Sequence, residues 1–137
     1  MTTIVLVSCA SKKLSHRAKA EDLYVSDLFL KSLAYARQLR PAEIFILSAK
    51  YGLVRPDDQI DPYDVTLNTM SLAEVRAWSD GVLGQLQRHA DVEHDRFVFL
   101  AGDKYRRYLA PRLSSVEVPM EGLRMGEQLR WLKGHLA

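Results

Sequence analysis

Short apolar runs recur along the chain at wide intervals. Three of them carry no charge and are rich in β-branched or aromatic residues, and a weaker fourth follows later; they occupy residues 4–7, 44–47, 97–100 and 116–118. Continuous runs of this length are typical of strands buried on both faces of a parallel sheet. The pattern therefore predicts four strands.

Helical periodicity fills the intervals between these runs. Apolar side chains recur every three or four positions over residues 22–39, 71–90 and 126–136, and a shorter pattern starts at Asp103. Ser71 and Glu74 fit a capping box, which marks the start of the second long helix. The sequence thus predicts a helix after each strand.

Alternation of strands and helices predicts the α/β class, with right-handed crossovers. We expect three layers: a mostly parallel, four-stranded sheet with helices on both faces, Rossmann-like, in a single domain over residues 1–137. Residues 50–69 show no clear periodicity but are too apolar for disorder, which predicts an ordered loop folded over one end of the sheet.

Composition limits the possible functions only a little. The net charge is +2, which permits contact with nucleic acid without demanding it. Cys9 is the single cysteine, so no intrachain disulfide can form, which fits a cytoplasmic protein. No apolar stretch approaches the ~18 residues of a membrane span, and the histidines show no ligand-like spacing. We therefore predict no membrane partner, no metal and no cofactor.

Polar side chains collect where the predicted strands end. Carboxyl ends of parallel strands meet at one edge of an open sheet, and ligands bind there. The residues at these ends that are suited to binding or catalysis are Ser8, Cys9, Ser11, Lys12, Ser48, Lys50, Tyr51, Asp103, Tyr105 and Glu121. The sequence therefore predicts a polar pocket at this edge.

Two of the candidate catalytic residues have structural alternatives. Cys9 is a nucleophile if Lys12 or Lys13 lowers its pKa, and otherwise a small apolar side chain that packs. Asp58 belongs to an acidic cluster in the long loop, where aspartate either transfers protons or simply forms turns beside proline. Lys50 would act as a base or nucleophile if a closing loop desolvated it.

The middle of the chain resembles a known signature. Residues 47–58 read LSAKYGLVRPDD, and Pro62 and Tyr63 follow, which is similar to the YaaA-like superfamily; residues 100–105 carry a second match. Over nearly its full length the chain resembles more closely a family of small, uncharacterised, mostly bacterial and phage-borne proteins. That family shares the Cys-x-x-Lys-Lys-like turn of residues 9–13 and the glycines of residues 121–126.

This resemblance implies a ligand class. YaaA proteins are linked to DNA binding and to protection from peroxide damage, and a related domain occurs in enzymes of deazaguanine tRNA modification. Both imply the handling of a base, a nucleotide or nucleic acid. The chain is about half the size of full-length YaaA proteins and lacks the segments that carry DNA-binding elements there, so the sheet-edge pocket is the shared feature.

Two functional hypotheses follow. The first, which we prefer, is an enzyme of unassigned reaction that binds or modifies a nucleobase, nucleotide or nucleic acid. Its catalytic residues would be Lys50, Asp58 and Cys9; its substrate-binding residues would be Ser8, Ser11, Lys12, Ser48, Tyr51, Tyr63, Asp103, Tyr105 and Glu121. The anionic part of the substrate would lie against Ser8, Cys9, Ser11 and Lys12.

The second hypothesis is a non-catalytic nucleic-acid-binding protein of the oxidative-stress or DNA-damage response. Its footprint would be Lys12, Lys13, Arg17, Lys19, Lys104, Arg106 and Arg107.

Overall fold

The computed structural model describes residues 2–137 and alternates strands with helices. The strands are β1 (Thr3–Ser8), β2 (Ala18–Lys19), β3 (Glu43–Ser48), β4 (Gly52–Val54), β5 (Gln59–Ile60), β6 (Arg96–Leu100) and β7 (Ser115–Glu117). The helices are α1 (Ala20–Leu23), α2 (Asp27–Gln38), α3 (Leu72–Gln87), α4 (Asp103–Arg106) and α5 (Met125–His135). Two 3₁₀ turns occupy Leu67–Thr69 and Ala110–Arg112.

The main sheet has five strands in the order β4-β3-β1-β6-β7. The α/β class and the parallel pairing of β1, β3, β6 and β7 are confirmed. The predicted number of four strands is wrong, because β4 adds an antiparallel edge strand next to β3. Gly52 has a φ of 76°, in the left-handed region that glycine tolerates, and this lets the chain reverse there. β4 lies within residues 50–69, which show no clear periodicity, so the sequence pattern did not predict it.

Helices cover both faces of the sheet. Alternate residues of β1 point to opposite sides: Val5 and Val7 face the core beneath α2 and α5, whereas Ile4 and Leu6 face the core beneath α3. All four side chains are buried. Both cores are therefore built around the central strand, as expected for a parallel sheet.

The first predicted helix is divided in two. α1 ends at Leu23, Tyr24 adopts an extended conformation, and the Ser26 side chain accepts the Phe29 N–H to start α2. The interruption has a tertiary cause, because the backbone of Val25 donates to the Lys12 carbonyl and so holds this segment against the loop that follows β1. By contrast, the capping box of Ser71 and Glu74 is confirmed at the start of α3.

Residues 50–69 are ordered, as predicted. Within them β5 pairs with β2, and the Asp58 carbonyl accepts the N–H of Ala20 at 2.8 Å. The loops that follow β1 and β3 are thereby joined by backbone hydrogen bonds on one side of the sheet edge.

Candidate functional site

A cavity of about 430 Å³ opens between the carboxyl ends of β1 and β6. From β1 the chain passes through α2 to β3; from β6 it passes through α4, on the opposite face, to β7. The two connections therefore leave neighbouring strands in opposite directions. Such a point in an open α/β sheet is where ligands bind, because the diverging loops leave a crevice.

The cavity is lined by both apolar and polar side chains. Leu28, Phe29, Leu100 and Met120 are among the apolar ones. The polar side chains around them are Ser8, Cys9, Ser26, Ser32, Asn68, Asp103, Lys104, Tyr105, Arg107 and Gln128. A largely apolar pocket with a few placed polar groups is the usual form of a small-molecule site.

Cys9 lies in the wall of this cavity and is half-buried. Its sulfur lies 3.3 Å from the Tyr105 hydroxyl, and the Tyr105 ring packs edge-on against Trp78. Burial raises the pKa of Tyr105, so the phenol stays protonated near neutral pH. Within residues 2–137 this phenol is the hydrogen-bond partner of the thiol, and Lys13 is placed elsewhere, 4.3 Å above the Tyr63 ring. Lys13 is therefore not placed to activate the Cys9 thiol in the way considered from the sequence.

Three serines follow the inner wall. Ser8 ends β1, Ser26 caps α2, and Ser32 lies two turns further along α2 on the side that faces the cavity. Ser32 is only 4% exposed and lines the cavity. A serine hydroxyl can both donate and accept a hydrogen bond, so its position in the cavity wall is suited to contact with a ligand atom.

Charged side chains lie at the mouth instead. Asp103, the first residue of α4, pairs with Arg107, and this hydrogen bond raises the pKa of the Arg107 guanidinium further. Lys104 donates to the Asn68 carbonyl at 3.3 Å. Two cationic side chains and one anionic side chain therefore surround the entrance, which leaves a small excess of positive charge there.

A second set of polar side chains lies next to this cavity, and its members hydrogen-bond to one another. We call Tyr24, Ser48, Tyr51 and Tyr63 the tyrosine cluster. The Tyr63 hydroxyl lies 2.6 Å from the Tyr24 hydroxyl and accepts from Ser48 Oγ at 2.8 Å, while Ser48 Oγ accepts the Tyr51 N–H at 3.0 Å. Burial raises the pKa of Tyr24 to about 12 and also raises that of Tyr63. The hydroxyl groups of Tyr24, Ser48 and Tyr63 are hydrogen-bonded within the cluster, which is the arrangement expected for a structural role.

The residues selected from sequence are distributed over three places. Ser8, Cys9, Asp103 and Tyr105 line the cavity, as expected from the common edge. Ser48, Tyr51 and Tyr63 belong to the tyrosine cluster. Ser11, Lys12, Lys50, Asp58 and Glu121 lie outside both groups and are exposed.

The outlying residues have local contacts. The Lys50 ammonium lies 5.3 Å from the ring of its neighbour Tyr51. The Asp58 carboxylate accepts the Arg55 N–H at 2.8 Å, which is the turn role weighed above. Glu121 lies 3.9 Å from Arg106, and Ser11 lines a separate hollow beside Tyr63. Convergence of all the strand-end residues on one pocket is therefore only partial, because the loops that follow β1 and β3 bend away from the β6 side.

Sequence reasoning missed the helical wall of the cavity. Ser26 caps α2, and Phe29 and Ser32 lie on it, rather than at a strand end. Their spacing of three residues places them on one side of a helix, and that spacing was a signal available in the sequence.

Two general properties concern the whole described chain. None of the helices in residues 2–137 has the length and apolarity needed to cross a membrane. In the same residues, no group of three or more His, Cys, Asp or Glu side chains is arranged to hold a metal ion.

Comparisons with known proteins agree on the kind of relative. The chain is 32% identical over 116 residues to the "Uncharacterized protein YfjM" of Bacillus subtilis (strain 168), an alignment that covers 80% of this chain and 75% of that protein. No solved structure matches the chain. A model of a family of unknown function, DUF6884, matches residues 4–134, and the chain therefore belongs to that family.

Proposed function

We propose that this protein is a YaaA-like, Rossmann-like domain that binds a nucleobase or nucleotide, free or within nucleic acid, in the cavity between β1 and β6. The observation that carries the proposal is the position of this cavity at the point where the connections diverge, together with its mixed lining. Its volume of about 430 Å³ lies within the range of small-molecule sites. The resemblance of residues 47–58 to the YaaA signature supports the ligand class.

The chemistry of the lining fits a heterocycle. Phe29, Leu28 and Met120 offer apolar surface to a planar ring, while serine hydroxyls and Gln128 offer hydrogen bonds to its edge. For an enzyme acting on such a ring, Cys9, Tyr105 and Asp103 are the groups placed to contact the reacting atoms. This set differs from the one chosen from sequence, because Lys50 and Asp58 lie away from the cavity.

The alternative of a nucleic-acid-binding surface has less support. Three of the seven cations of that footprint have acidic partners: Arg17 pairs with Asp61, Arg106 with Glu121 and Arg107 with Asp103. A cation that already has a carboxylate partner releases fewer counterions when it contacts a phosphate. Binding through this surface would lose affinity steeply with added salt.

Filling the cavity tests the proposal. Gly102 lines the cavity, and a Cβ added there meets no atom within 4 Å, so Gly102→Trp adds an indole at a lining position without a clash at its Cβ. Gly134 is equally open but lies near the end of α5, which makes Gly134→Trp the matched control.

Calorimetric titration with nucleosides, nucleoside monophosphates and single-stranded oligonucleotides should show binding to the unmodified protein and to Gly134→Trp. Binding should be lost in Gly102→Trp, while circular dichroism remains unchanged. The proposal is wrong if none of these compounds binds, or if Gly102→Trp binds as well as its control.

A further inference from the structure

The two ends of the cavity differ in charge. The inner end is formed by Ser8, Cys9 and Ser32, which are neutral and buried or half-buried. The mouth is formed by Asp103, Lys104 and Arg107, of which the first and last are exposed. A ligand that satisfies both ends has a neutral, hydrogen-bonding part and an anionic part.

Ser32 indicates which part of such a ligand lies at the inner end of the cavity. Ser32 is only 4% exposed and lines the cavity. A phosphate at this depth would be a buried charge without a cation, because the lysine and arginine of the cavity lie at the mouth. A hydroxyl that both donates and accepts instead suits the edge of a heterocycle, which presents both kinds of group.

The start of α2 does not provide another phosphate position. The Phe29 N–H is already bonded to the Ser26 hydroxyl, and Asp27 places a carboxylate in the first turn. That carboxylate opposes a second anion at the positive end of the helix. The mouth beside Lys104 and Arg107 is therefore the favoured place for phosphate.

We infer that the cavity takes a nucleoside monophosphate with its base inward, against Ser8 and Ser32, and its phosphate outward, beside Lys104 and Arg107. This orientation rests on the proposed function. It reverses the sequence-based expectation that the residues after β1 hold the anionic part, because Ser11 and Lys12 lie outside the cavity.

Competition between ligand fragments tests the orientation. The probes are a nucleoside monophosphate, the corresponding nucleoside and inorganic phosphate, each titrated calorimetrically at low salt. We expect the nucleoside to bind within about 10-fold of the monophosphate, and inorganic phosphate not to compete with it, since the exposed mouth contributes only modestly.

Two substitutions separate the two ends. Ser32→Ala should weaken the nucleoside and the monophosphate equally, by about 3- to 10-fold, and change the ranking among the four bases. Lys104→Gln should weaken the monophosphate alone. Ser79→Ala is the matched control, because Ser79 is also a buried serine on a helix, but it lies on α3 away from the cavity.

The outcomes distinguish the two levels of the proposal. If inorganic phosphate competes and the nucleoside does not bind, the orientation is reversed while nucleotide binding stands. If Ser32→Ala behaves like Ser79→Ala, the base does not reach Ser32 and the inference is wrong. If no nucleoside, nucleotide or oligonucleotide binds at all, the proposed function itself fails.

Discussion

The carboxyl edge of the sheet contains two polar regions, one a hydrogen-bonded cluster and the other an open cavity. Above β1 and β3, the tyrosine cluster is closed: Tyr24, Tyr63 and Ser48 hydrogen-bond to one another and are buried. Above β1 and β6, the cavity is open, and the Ser32 side chain forms part of its wall. Cys9 lies at the boundary, close enough to affect the pKa of Tyr24, Tyr63 and Tyr105.

The difference follows from the direction of the connections. The loops after β1 and β3 meet and are joined by hydrogen bonds, such as that from Glu21 N–H to the Pro56 carbonyl at 2.9 Å. The connections after β1 and β6 run to opposite faces of the sheet and leave a cavity between them, where Cys9 Sγ and the Tyr105 hydroxyl lie 3.3 Å apart. Polar residues at the first position therefore hydrogen-bond to one another, whereas those at the second line an open cavity.

The largest expected effect is loss of the most deeply buried tyrosine of the cluster. Tyr24 is fully buried and packs against Phe29, so Tyr24→Ala should lower the free energy of unfolding by about 3–5 kcal/mol. Urea-induced unfolding measures this change. Tyr108→Ala, at a half-buried tyrosine, is the control and should cost much less. Equal costs for the two variants would show that the cluster is not a closed core.

A smaller effect is expected at the serine of the cluster. Ser48→Ala leaves the Tyr51 N–H and one bond of the Tyr63 hydroxyl without a partner. Such a loss costs about 1–3 kcal/mol when the groups are buried. Chemical denaturation of the variant checks the figure, and a stability equal to that of the unmodified protein would contradict it.

High pH should lower the stability of the protein, because it deprotonates Tyr24 in the cluster. The pKa of Tyr24 is raised to about 12 from 10.0, so the folded state holds this proton more tightly than the unfolded state does. The resulting stability is complete below pH 10 and is lost as the pH rises to 12, by an amount on the order of 2 kcal/mol. Urea unfolding across this range should show a shallower decline for Tyr24→Phe, whereas Tyr108→Phe should decline like the unmodified protein. An unchanged slope in Tyr24→Phe would contradict the assignment.

The smallest effect is expected in the open cavity. Ser32 takes no part in the hydrogen bonds of the tyrosine cluster, so Ser32→Ala should change the free energy of unfolding by less than about 0.5 kcal/mol. Comparison with Ser48→Ala by the same denaturation experiment isolates the difference between the two regions. A cost for Ser32→Ala as large as that for Ser48→Ala would mean that its hydroxyl is already engaged.

The secondary structure could be predicted where the signal is local. The parallel strands β1, β3 and β6 and the capping box of α3 were found because a buried strand is continuously apolar and a cap needs only neighbouring residues. The break at Tyr24 and the edge strand β4 were missed. Both depend on contacts with distant segments, such as the pairing of Leu53 with Leu47 in β3.

The candidate site could be predicted in part. Ser8, Cys9, Asp103 and Tyr105 were found by position alone, because strand direction brings them to one edge. Ser48 and Tyr63 were selected for the same reason but belong to the closed cluster. Sequence cannot separate these two sets, because whether a polar group finds a partner depends on where the loops fold.

The sequence by itself determined an α/β protein whose strand ends carry hydroxyl, thiol and charged groups, since burial and helical period are recorded in the order of the residues. Only the tertiary structure decided which of those groups face a cavity and which face each other. The physical reason is that a polar group forms a hydrogen bond only if another segment lies within reach. The distances between segments depend on which face of the sheet each connection crosses.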